Sequence, residues 1–77
     1  MTIRAAQHAG DANGRPGWRI MFDYDADKIA ALKRAVPSED RTWDEATKTW
    51  WFAETHVPAV TAIFPQLRAY TEQARLL

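Results

Sequence analysis

The sequence predicts a small α+β domain, ordered β-α-β-β-α with a helical tail, in which an antiparallel-rich sheet carries its helices on one face. Three observations support it. Residues 18 to 24 alternate large apolar and polar side chains, as a strand with one buried face does. Two apolar stripes at helical spacing follow residues suited to capping a helix. Between those stripes, two segments rich in aromatics and threonine flank "EATK", which suits a four-residue hairpin loop.

Residues 1 to 17 are poor in large apolar side chains, and "GDANGRPG" holds all three glycines and a proline, so this part reads as a flexible arm or Gly-rich loop. Within it, "TIRAAQ" alternates weakly and is a candidate edge strand. A single domain then runs from residue 18 to residue 77. In its first strand, Trp18, Ile20, Phe22 and Tyr24 share one face and Arg19, Met21 and Asp23 the other. Asp25 stands where an N-cap belongs, and Asp27 complements the helix dipole in the first turn. Ile29, Leu32 and Val36 form the apolar stripe, Lys33 and Arg34 fall in the last turn, and Pro37 ends the helix.

The hairpin comprises residues 41 to 44 and 49 to 53, with the Asp44 carboxylate accepting from the turn amides. Thr55 is the expected N-cap of a second helix, Pro58 is tolerated in its first turn, and Val57, Val60, Ile63, Phe64 and Leu67 make its stripe. Pro65 kinks or ends that helix. The tail "QLRAYTEQARLL" is built of helix formers.

A loop over residues 45 to 48 sets Asp44 opposite Thr49, Trp43 opposite Trp50, Thr42 opposite Trp51 and Arg41 opposite Phe52. Trp43, Trp50 and Phe52 then share a face, while Trp51 looks the other way. A loop longer by one residue exchanges Trp50 and Trp51, because a single-step slip inverts every side chain.

Composition narrows the function. With no cysteine, disulfides and thiolate chemistry are excluded. No apolar run approaches the ~18 residues that span a bilayer, and the first ten residues lack a signal peptide's apolar core, so a cytoplasmic location is expected. Ten basic residues balance ten acidic ones, so nucleic-acid binding would rest on a local patch. At 77 residues the chain buries only ~60–65% of its unfolded surface, which gives each aromatic a large share of the stabilisation.

Nucleophilic catalysis needs a base beside the nucleophile, yet the only serine is Ser38, in a turn, and the histidines are His8 and His56. Glu54 and His56, two apart, do not have metal-ligand spacing. Of the acidic cluster Asp23, Asp25 and Asp27, the cap and the dipole account for the last two. No enzyme, metal or cofactor is expected.

The run "FDYDADKIAALKRAVPSEDRTWDEATKTWWF" with the following "VPAVTAIF" resembles the HARP domain that accompanies annealing helicases of the Swi/Snf type. The resemblance rests on Phe22, Tyr24, Ile29, Leu32, Lys33, Pro37, Arg41, Trp43, Asp44, Thr47, Lys48, Trp50 and Phe52. It covers about fifty residues, 18 to 67. It favours the first register, with Trp43, Trp50 and Phe52 packed under the helices and Trp51 outside. What it implies is binding of single-stranded or forked DNA, here by a stand-alone module with no motor.

For such binding the residues offer Arg19, Lys33, Arg41 and Lys48 for phosphates and Trp51 as a stacking platform on the open sheet face. The bland alternative has Trp51 covered by the N-terminal arm, the tail or another copy. A rival function is protein interaction: a phage-type or mobile-element inhibitor or adaptor, or a homodimer joined through the Trp51 face. Zero net charge and an apolar Met21/Trp51 patch motivate it.

Overall fold

The computed structural model describes residues 3–7 and 14–76. His8 and residues 10–13 of the glycine-rich segment lie outside the described residues. Four strands, β1 (Ile3–Gln7), β2 (Gly17–Phe22), β3 (Arg41–Asp44) and β4 (Thr49–Ala53), form an antiparallel sheet in the order β1-β2-β4-β3. The helices are α1 (Ala26–Ala35), α2 (Val57–Ile63) and α3 (Leu67–Leu76), with short 3₁₀ turns at Ser38–Asp40 and Glu54–His56. This is the expected small α+β domain. The described part of "TIRAAQ", Ile3–Gln7, is an edge strand, and β2 begins one residue earlier than expected, at Gly17.

Local signals account for most boundaries. The Asp25 carboxylate accepts from the amides of Asp27 at 3.0 Å and Lys28 at 3.1 Å, satisfying two donors that a helix start leaves open. Pro37 stops α1 as expected, and Pro65 separates α2 from α3. Thr55 does not cap α2. Residues 54–56 turn as 3₁₀ instead, so the helix starts at Val57 with Pro58 in its first turn, where a missing amide hydrogen costs nothing.

The hairpin pairs Trp43 with Trp50, Thr42 with Trp51, Arg41 with Phe52 and Asp44 with Thr49, the register expected for a four-residue loop. The Asp44 carboxylate accepts from the amides of Ala46 and Thr47 at 3.0 and 3.3 Å and so shapes the turn. Lys48 closes it with φ of 57°, in the left-handed region.

All three helices pack on one face of the sheet. Ile3, Trp18, Ile20 and Phe52 from the strands meet Leu32, Val36, Val60, Phe64 and Leu67 from the helical layer. The β1 edge is tied down by α3, whose Tyr70 hydroxyl donates to the Ile3 carbonyl at 2.9 Å. At the opposite edge, β3 pairs only with β4 among the described residues, and the element packed most closely on it from outside the sheet is the short Ser38–Asp40 turn.

That uneven cover corrects two expectations. Trp43 is not packed under the helices: it lies on their side of the sheet but on the uncovered edge strand, 42% exposed. Tyr24 is not a core residue either, because β2 ends at Phe22 and the chain turns toward α1, leaving Tyr24 85% exposed. Both aromatics border the same groove.

Candidate nucleic-acid interface

The face of the sheet away from the helices carries Gly17, Arg19, Met21, Thr42, Asp44, Thr49, Trp51 and Ala53, as strand alternation and the register require. Trp51 is on this face as expected, yet only 4% exposed. Its indole lies against Gly17, so close that a Cβ there would stand 2.5 Å from ring atoms. The Arg15 guanidinium covers it, 5.4 Å from the ring centroid. Trp51 therefore has no free ring face for a base, and the Met21/Trp51 patch shrinks to a partly exposed Met21.

Arg15 is held over that ring by a polar clasp. It pairs with Asp40 at 2.8 Å and donates to the Glu39 carbonyl at 2.7 Å, while His56 Nε2 meets the other Asp40 oxygen at 2.8 Å. Hydrogen bonds from Arg15 and then His56 hold the Asp40 carboxyl below its ordinary range. The clasp joins the segment before β2 to both 3₁₀ turns, and the Glu54 amide adds a bond to the Pro16 carbonyl at 3.1 Å. Nothing in the local sequence pattern marked Arg15, because its partners are distant in the chain.

Two of the basic residues expected to meet phosphate are engaged elsewhere. Arg19 pairs with Asp44 at 3.3 Å across the open face. Arg41 donates to the Val36 carbonyl at 3.1 Å, satisfying an acceptor left open where α1 ends.

Lys33 and Lys48 belong together instead, at a groove on the helix side of the sheet. A cavity of about 810 Å³ opens between α1 and the β3–β4 hairpin. Ile20 and Phe22 of β2 line it, Ala26, Ile29, Ala30 and Lys33 contribute from α1, and Trp43, Lys48 and Trp50 contribute from the hairpin, with Tyr24 at the β2–α1 junction. The Trp43 and Trp50 rings are tilted 50° with centroids 5.2 Å apart, an aromatic pair that stiffens this wall. The Lys33 ammonium lies 5.9 Å from the Trp50 ring centroid.

The hairpin turn completes the mouth of the groove. Trp43 Nε1 donates to Glu45 Oε2 at 2.7 Å, and the Lys48 ammonium pairs with Glu45 Oε1. Lys48 and then Trp43 hold the Glu45 carboxyl below its ordinary range. The adjacent Asp44 carboxyl is also lowered, chiefly by the Thr47 amide.

This arrangement brings together four aromatic side chains, Phe22, Tyr24, Trp43 and Trp50, and two ammonium groups around a concave, mostly apolar surface, the form that small-ligand and base-stacking sites take. Of the five residues expected to contact DNA, it contains Lys33 and Lys48. Its aromatics Tyr24, Trp43 and Trp50 lie at the helix side of the sheet, not on the open face that carries Trp51. Among the described residues, no group of three or more acidic or histidine side chains is placed to hold a metal ion. No described helix is long and apolar enough to cross a membrane. No family model matches the chain, and neither does any curated protein or solved structure.

Proposed function

We propose that the protein is a small non-enzymatic DNA-binding module of HARP-like character, which takes single-stranded or forked DNA into the groove between α1 and the hairpin. The observation that carries this reading is the convergence of Tyr24, Trp43 and Trp50 with Lys33 and Lys48 on one cleft. Unpaired bases have two apolar faces, and stacking on an aromatic side chain is worth ~1–3 kcal/mol per base. The lysines meet the phosphates that accompany those bases. Duplex DNA keeps its base faces stacked on one another, so strands with unpaired bases are the better occupants.

The groove offers few groups that read base edges. Its polar side-chain atoms are two ammonium groups, one phenol and two indole N–H groups, and the Trp43 N–H is already engaged by Glu45. Little sequence preference follows, because every base has a face to stack.

A salt titration tests the reading. Fluorescence anisotropy of labelled single-stranded and forked DNA is expected to show binding that weakens with salt. Two neutralised phosphates give a slope of log affinity against log salt of about −1.4 for a single strand. Absence of binding at low salt overturns the proposal. So does a concentration-dependent dimer that a Trp43→Ala change dissociates, which would assign the groove to a second copy of the chain.

A further inference from the structure

We infer that the Lys48 ammonium and the Trp43 indole N–H form a phosphate subsite at the mouth of the groove, which Glu45 fills in the free protein and a DNA backbone phosphate takes over on binding. The inference rests on the DNA-binding reading and adds to it the location of a phosphate contact and a built-in competitor for it.

The geometry is that of an anion site already in use. One carboxylate oxygen of Glu45 accepts from Trp43 Nε1 at 2.7 Å and the other from the Lys48 ammonium, so both donors converge on a single anionic group. The two non-bridging oxygens of a phosphodiester present the same pair of acceptors. Trp43 then serves a nucleotide twice, with its ring face toward the base and its N–H edge toward the phosphate. Lys48 also lines the groove, so the subsite is continuous with the stacking surface.

Exchange is feasible because the occupant is weakly held. The side chains of Lys48 and Glu45 are 64% and 72% exposed, and ion pairs that open to water contribute little. Displacing Glu45 releases its carboxylate to solvent without unmaking any part of the core. Glu45 lies in the hairpin loop, where its side chain can swing away while Asp44 keeps the turn in place. The consequence is regulatory: an isolated anion gains little at a position that the protein's own carboxylate contests, whereas a strand that also stacks on the aromatic wall displaces it.

The test measures the anisotropy of a labelled oligothymidine with Glu45→Gln, Lys48→Gln and the double variant, each checked by circular dichroism for the native fold. Glu45→Gln removes the competing charge and is expected to tighten binding about threefold, the scale of one exposed ion pair. In the Lys48→Gln background the same change is expected to give no gain, because the two residues act on one site. Glu39→Gln, an equal change in net charge at a residue outside the groove, controls for the overall field and is expected to give less.

An equal gain from Glu45→Gln in both backgrounds, or no gain in either, overturns the subsite. If Trp43→Ala still weakens binding, the DNA-binding reading survives that result. If no variant and not even the parent binds the oligonucleotide, the underlying reading has failed.

Discussion

Gly17→Ala tests the placement of Trp51, on which the choice between the two faces of the sheet depends. A Cβ at residue 17 would stand 2.4 Å from the Phe52 carbonyl oxygen and 2.5 Å from Trp51 Cε2 and Nε1. The carbonyl belongs to the neighbouring strand, since Gly17 pairs with Ala53 and Trp18 with Phe52, and it cannot retreat without parting β2 from β4. The indole cannot lift freely either, with Arg15 over it and held in place by Asp40.

Overpacking of this kind costs ~1–3 kcal/mol, and a contact with both backbone and ring belongs at the upper end. Losing glycine's freedom in the unfolded chain returns ~0.4–1 kcal/mol. The net loss is about 2 kcal/mol, which for a domain of this size lowers the melting temperature by roughly 8–16 °C. Thermal unfolding followed by far-ultraviolet circular dichroism measures it. A melting temperature within ~2 °C of the parent would refute the reasoning: the indole would not lie on Gly17, and Trp51 would again be available as a stacking platform.

Three other outcomes are expected. Trp43→Ala should lower stability by only ~1 kcal/mol, because the ring is on the uncovered edge, whereas Trp51→Ala should cost the ~3–5 kcal/mol of a buried tryptophan and leave little folded protein; urea unfolding separates the two. Tyr70→Phe removes the hydroxyl that holds the Ile3 carbonyl, and should cost ~0.5–1.5 kcal/mol and speed amide exchange in β1 more than in β4. The carboxyls of Asp40, Asp44 and Glu45 lie below ordinary values of 3.8, 3.8 and 4.5, so their contribution is present above the unfolded-state values and is lost as pH falls through the lower folded-state ones. Urea midpoints should therefore hold at neutral pH and drop below about pH 4, and Asp40→Asn should lower the neutral midpoint while flattening that drop.

Much of the fold is written locally. Asp25 and Pro37 bracket α1, Pro65 divides α2 from α3, and a four-residue loop nucleated by Asp44 sets the hairpin register and thereby the face of every tryptophan. Sequence alternation states which face a residue takes, but not what covers that face. Trp51 is covered through Arg15, whose position depends on Asp40 and His56, and no periodicity encodes such a distant contact. Trp43 emerges because β3 is the sheet edge, a property of strand order that a hairpin pattern does not contain. Tyr24 continues the alternation of β2 beyond the point where the strand ends. The groove was hidden for the same reason: its lining comes from β2, α1 and the hairpin, and only their packing brings Tyr24, Lys33, Lys48 and the tryptophan pair together. Charge alone points to Lys33 and Lys48, whereas strand alternation assigns their aromatic partners to the core.

The most direct measurement compares the affinity of a labelled single strand for two variants that differ in the face they alter. Trp43→Ala removes a stacking surface from the groove, and Arg19→Ala removes a cation from the open face of the sheet. A base stack worth ~1–3 kcal/mol predicts a loss of roughly 5- to 150-fold for Trp43→Ala, with Arg19→Ala close to the parent. Unchanged affinity for Trp43→Ala, or a larger loss for Arg19→Ala, would contradict the assignment of the groove.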